Sequence, residues 1–164
     1  MLGGKLWKSW SHRATRTWRR GGEMEFNPDL VAPCGMDCNV CKAYLAYSRG
    51  IPRQRGVFNH CAGCRPRNKR CGFLKQRCAK LLNQEVRYCF ECETFPCRRL
   101  ETLDRRYRTN YSASLIENLR QVKGKGLTPF LREQEARYRC LTCSGVICIH
   151  DGVCYDCYVK QHPA

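Results

Sequence analysis

Residues 140–157 read CLTCSGVICIHDGVCYDC, two Cys-x2-Cys pairs, Cys140/Cys143 and Cys154/Cys157, separated by ten residues. A two-residue gap lets both thiols of a pair reach one ion, and four thiolates at about 2.3 Å form the closed tetrahedral shell of a structural zinc. The insert reads as a hairpin: VICIH and VCY flank Asp151-Gly152, a dipeptide suited to a type I′ turn. This is a zinc-ribbon pattern, whose default role is folding and not catalysis. Cys148 and His150 lie inside the hairpin. They read as packed strand residues in preference to ligands, with Cys148 able to exchange into the shell if Cys154 faces away.

Working back along the chain, ten more thiols lie between Cys34 and Cys97, within a total of fifteen in 164 residues. Three close pairs here repeat the Cys-x2-Cys spacing: Cys38/Cys41, Cys61/Cys64 and Cys89/Cys92. Disulfide frameworks do not require that spacing, whereas metal knuckles do. The N-terminal stretch KLWKSWSHRATRTWRR lacks the apolar core of a secretory signal, and no run approaches the ~18 apolar residues of a membrane span. These features favour a reducing, cytoplasmic location with thiolates on metal. Leu, Ile, Val and Phe are few, so the expectation is that metal, not apolar packing, holds the chain together.

The ten thiols divide as two four-ligand sites with two left over. The preferred grouping joins Cys61, Cys64, Cys71 and Cys78, and joins Cys34, Cys38 and Cys41 with members of the Cys89, Cys92, Cys97 group. Spacing alone does not decide which distant knuckles meet. Two or three zinc ions are expected, with an iron–sulfur cluster as the alternative at the N-terminal sites, because thiolate sets serve both metals. His60, beside Cys61, reads as a loop histidine. The opening run CGMDCNVC has the Cys-x3-Cys-x2-Cys form used by radical-SAM enzymes. The chain beyond it reads as helix, thiol-rich loop and more helix, not the alternating strands of a partial β/α barrel, so that chemistry is set aside.

The formal charge is +16. Twelve thiolates on three divalent ions would lower it to about +10. Residues 1–23 contribute six basic side chains and one acid, which leaves the rest only mildly basic. The string RRGGEM can be encoded by a purine-rich ribosome-binding sequence ahead of a start at Met24, so residues 1–23 are expected to be translated leader; a basic tail or transit-like arm is the competing reading.

From Met24 onward, helical periodicity is plain. Val40, Ala43, Tyr44 and Tyr47 would share one face of a helix over 39–50, and KQRCAKLLNQ would form a short helix carrying Cys78. Pro96 would open a helix with Leu100, Leu103 and Tyr107 inward. Ser114 and Glu117 make a capping box before Leu115, Ile116, Leu119 and Val122, and Thr128-Pro129 would start a further helix ending near Cys140. The fold class is therefore small, metal-stabilised and mainly α, with short β-hairpins, Cys-rich knuckles and a C-terminal zinc ribbon. Its parts would be a basic extension (1–23), a Cys-rich metal-binding domain (24–110), a helical segment (111–139) and the ribbon (140–164).

No catalytic signature stands out: metal-bound thiols are poor nucleophiles and no base partner is evident. Arg105, Arg106, Tyr107 and Arg108 form a basic, Tyr-bearing stretch that can meet protein or RNA, the aromatic ring stacking on bases while the arginines face phosphate. The segments APCGMDCNVCKAYLA, CAGC and YCFECETFPCRRLETLDRRYRTNY resemble a prokaryotic cysteine-rich family, domain-of-unknown-function family 3795, over residues 24 to about 110. The resemblance implies a soluble cytosolic metal-binding protein and brings no activity. The functional expectation is a non-enzymatic zinc-binding adaptor for protein or RNA; the alternative is an iron–sulfur protein with a redox or sensing role.

Overall fold

A computed structural model describes residues 26–67 and 77–163. Residues 1–23, the expected start at Met24 and Cys71 lie outside the described residues. Two short 3₁₀ turns open the first described stretch. Pro28–Leu30 is capped by Asn27, whose side chain accepts from the Asp29 amide, and Cys38–Val40 is capped in the same way by Asp37. The helices are α1 (Lys42–Ser48), α2 (Cys64–Arg67), α3 (Ala79–Leu82), α4 (Arg98–Tyr111), α5 (Leu115–Lys125), α6 (Leu127–Arg137) and α7 (Tyr155–Gln161). Among the described residues, β structure amounts to isolated antiparallel bridges, two of which, Arg139↔Val146 and Ile147↔Cys154, flank the C-terminal thiols. The expected ribbon hairpin is thus reduced to single bridges.

The long helices form where local signals are strongest. Ser114 caps α5 by accepting from the Glu117 amide at 3.0 Å. Leu115, Ile116, Leu119 and Val122, at i, i+1, i+4 and i+7, turn its apolar stripe inward. Gly126 ends α5 and begins α6 at once, with φ 87° and ψ 172°, a region that essentially only glycine occupies. The helix after it starts at Leu127, one residue before the expected Thr128 cap.

Packing corrects the expectation of a sulfur-held interior. One buried apolar cluster runs from Phe26 to Tyr155, through Leu30, Val31, Leu45, Leu100, Leu119 and Phe130. Few as they are, many of the aliphatic residues are spent inside, although Leu141, Val57 and Val153 are exposed. Each full burial of such a side chain contributes about 1.5–3 kcal/mol, so apolar packing is itself a substantial source of stability here.

Three local readings also change. In α1 the buried residues are Leu45 and Ala46, and Tyr47 is exposed. The 3₁₀ turn at 38–40 delays the helix to Lys42 and rotates the face expected from Val40, Ala43, Tyr44 and Tyr47. Cys78 is the residue before α3 instead of a position inside it. Finally, α7 follows Cys154, where no helix was expected. No helix among the described residues is long and apolar enough to cross a membrane.

Candidate metal centre

The first thiol pair of the C-terminal segment is delivered just past the end of α6, and the second at the start of α7. Between Cys140 and Gly145 the chain turns back on itself: the Ser144 amide donates to the Cys140 carbonyl and the Cys140 amide to the Gly145 carbonyl, both at 2.8 Å. Cys154 is the N-cap of α7 and Cys157 lies one turn in, so the helix start aims both sulfurs at the knuckle. The Sγ atoms of Cys140, Cys143, Cys154 and Cys157 all lie within 4.8 Å of one another. Individual separations are 3.9 Å (Cys140 to Cys157), 3.4 Å (Cys143 to Cys154) and 3.3 Å (Cys143 to Cys157). A tetrahedral ion with bonds of about 2.3 Å needs sulfurs ~3.8 Å apart. The four residues fit such an ion.

The electrostatics fit as well. Backbone amides of Cys143 and Thr142 donate to the Cys140 sulfur and lower its pKa to about 6. Burial pushes Cys154 up to about 12, and Cys157 is raised, first by its hydrogen bond to Cys143. Four sulfurs this close share protons because they cannot all ionise; a divalent cation takes the protons' place. No disulfide links any of the fourteen described cysteines.

Side chains around the knuckle hold it in place. Arg49 clamps Asp156 with two hydrogen bonds, Nε to Oδ1 at 3.2 Å and a terminal nitrogen to Oδ2 at 2.9 Å. Asp156 Oδ2 also accepts from the Val146 amide at 3.2 Å. That carboxylate occupies the space a side chain at 145 would need: a Cβ on Gly145 would meet it at 2.5 Å. Tyr155 is fully buried and donates to Asp151 at 3.0 Å.

Cys148 and His150 lie apart from the four sulfurs. Cys148 is buried, and burial pushes its thiol up to about 12, so it sits in the interior as a neutral group. The His150 ring accepts from the Lys42 amide at 3.3 Å and meets the Tyr107 hydroxyl at 3.2 Å. Burial lowers its pKa, keeping the ring neutral. Tyr107 is consequently turned toward His150 and Tyr111, while Arg105 and Arg106 remain exposed. His60 meets the Ile51 carbonyl at 2.6 Å, a loop-bracing contact.

The N-terminal thiols fall into two neighbourhoods that differ from the grouping the spacing suggested. Cys38 is hydrogen-bonded to Cys64, which raises its pKa together with burial, and Cys41 feels the charges of Cys61 and Cys64. The Cys61 amide donates to the Ala43 carbonyl at 3.0 Å, which brings the CAGC loop onto the start of α1. Cys61 and Cys64 therefore sit with Cys38 and Cys41, while Cys78 sits near Cys89. In the second neighbourhood Cys89 is surrounded by Cys34, Cys78, Cys97 and Cys92; burial first, then these sulfurs, push its thiol well up. The Cys89 amide donates to the Pro33 carbonyl at 2.9 Å. Gly35, at φ 87°, lets the opening loop pass against α5, where any Cβ would strike the Leu115 carbonyl.

Two carboxylates outside the thiol pattern organise these elements. Asp104, in α4, accepts from the Ile116 amide at 3.0 Å, Ser114 at 2.8 Å and Arg108 at 2.6 Å. The signal was present as Asp104 with Arg108 one turn later, ahead of a Ser cap. Asp156 had no comparable local signature.

Residues 30–102 match the model of a family described as "Protein of unknown function (DUF3795)". No curated protein and no solved structure matches the chain.

Proposed function

We propose, starting from a chain whose residues 30–102 belong to the DUF3795 family, that this protein is a non-enzymatic zinc-binding adaptor. The observation that carries the reading is the convergence of Cys140, Cys143, Cys154 and Cys157 within 4.8 Å. Four protein sulfurs around one ion leave no open position for water or substrate, which is the arrangement of a structural zinc and not of a catalytic one. The Cys38, Cys41, Cys61 and Cys64 neighbourhood, where Cys38 meets Cys64, is the second zinc position, and its sulfurs, no three of which lie within 4.8 Å of one another, would have to be drawn together by the ion. Thiolates kept on metal suit the reducing cytoplasm.

The adaptor role draws support from the outer face of α4, where Arg105 and Arg106 are exposed. Tyr107 contributes by packing on His150, so recognition there is by charge and directed at an acidic protein or RNA surface. Arg108 is engaged with Asp104 and steadies the helix instead of reaching outward. Binding through this face weakens as salt rises; binding indifferent to salt would be inconsistent with phosphate contacts.

Elemental analysis of anaerobically purified protein tests the zinc reading directly. Stoichiometric zinc, with one equivalent lost in Cys143→Ser, is expected. Absence of zinc from the native protein sinks the proposal.

A further inference from the structure

One cavity belongs to none of the zinc positions above. It has a volume of about 380 Å³ and lies between α3, the 89–91 turn and the start of α4, lined by Cys78, Cys89, Cys92 and Cys97. Cys34 stands close to Cys89, held there by the Cys89 amide on the Pro33 carbonyl. Four thiols thus line the cavity and a fifth stands beside one of them. The remaining wall is mostly apolar, with Leu81, Val86, Phe95 and Leu100, or cationic, with Lys80, Arg98 and Arg99, and Thr94 at the rim; none of its described residues is acidic.

This differs from the C-terminal knuckle in kind. Sulfurs that share one zinc must lie ~3.8 Å apart, as the Cys140 set does. Among the described residues, no three of the cavity thiols lie within 4.8 Å of one another. They surround a space instead of a point. The pocket is a cleft open to solvent on its Cys92 side, with room for a group larger than a single ion. A four-thiolate cluster carries net negative charge, which three cationic side chains offset. Cys97 is also the N-cap of the fourteen-residue helix α4, where the helix dipole favours thiolate. The apolar wall would shield the inner side of a bound cluster from water, the Cys92 side staying open.

We propose that this cavity is a separate sulfur-ligated centre that takes a polynuclear iron–sulfur cluster, held by four of Cys34, Cys78, Cys89, Cys92 and Cys97. It uses none of the thiols assigned to zinc, so it stands or falls independently of that reading.

The test is anaerobic incubation of the full chain with equal amounts of ferrous and ferric iron and inorganic sulfide, which supply the mixed-valence iron of a four-iron cluster with no further oxidant, followed by iron, sulfide and zinc determination and a visible spectrum. About four iron and four sulfide per chain with broad thiolate-to-iron absorption are expected. Cys89→Ser should lose at least tenfold of the iron while retaining zinc at the C-terminal set, and Cys140→Ser should do the reverse. Should Cys89→Ser fail to fold by circular dichroism, Cys92→Ser, whose sulfur is at the rim beside Thr94 at 3.2 Å, carries the same measurement. A wild-type chain that takes up no iron overturns the proposal. So does iron unaffected by the cavity variants, or a zinc equivalent that excludes iron and is lost with Cys89.

Discussion

The chain from Arg98 to Arg139 contains no cysteine, whereas the eighteen residues from Cys140 to Cys157 contain five. The first region buries Leu100, Leu115, Leu119 and Phe130 to completion and keeps its helices by ordinary apolar packing. In the second, regular structure is limited to isolated bridges and a seven-residue helix, too little to stand alone in water. The change falls at Tyr138–Arg139. The difference teaches that sulfur is concentrated where the chain is too short or too irregular to bury enough, and is absent where helices suffice.

The sharpest way to separate the regions is to remove the ion. A strong chelator under reducing conditions should release the C-terminal knuckle, because apparent zinc affinities of such sites are worth roughly 10–16 kcal/mol. Hydrogen exchange should show residues 140–161 losing protection while α4–α6 stay protected; simultaneous collapse of both would erase the distinction. Leu119→Ala asks the converse question. It should lower global stability by about 3 kcal/mol, read from the denaturant midpoint, with zinc content unchanged.

Asp104→Ala tests the joint between α4 and α5, with an expected loss of about 2–3 kcal/mol. Burial alone would raise this carboxyl, but hydrogen bonds from the Ile116 amide, Arg108 and Ser114 outweigh it and leave its pKa lowered. The stabilisation is therefore complete above the ordinary carboxylate pKa near 4 and declines as pH falls through the lower, folded value. An acid-unfolding profile of Asp104→Ala should lack that decline. Asp156→Asn should cost less in stability, about 1–2 kcal/mol, yet weaken zinc roughly ten- to hundredfold, since Asp156 holds the knuckle loop through Val146. Unaltered zinc affinity would make Asp156 a mere surface anchor. Smallest of all, Lys125→Ala breaks an exposed pair with Glu133 and should change the midpoint by less than about 1 kcal/mol.

The features legible in the sequence were the local ones. Ser114, Glu117 and the leucine spacing define α5 because a cap and an apolar stripe act within a dozen residues. The Cys140 to Cys157 set was legible for the same reason, its four thiols lying within one short segment. The N-terminal pairing was not, because every Cys-x2-Cys loop offers the same two sulfurs at the same spacing. Contacts distant in sequence, such as the Cys61 amide on Ala43, the Cys89 amide on Pro33 and Cys38 with Cys64, distinguish their partners. The start of α7 was hidden for a related reason: YDCYVKQ has no capping side chain, and its burial comes from Tyr155 against Phe58, far away in sequence. The interior was underestimated because counting aliphatic residues says nothing of how completely they are used.

Gly126 joins α5 to α6 with no linker at all, so the second helix has little freedom to choose its heading. That heading carries through α6 to Tyr138 and sets where the Cys140 sulfur emerges. A corner made from one residue thereby acts as a protractor for the thiol knuckle at the far end of the rod, and the angle drawn there is read out in sulfur.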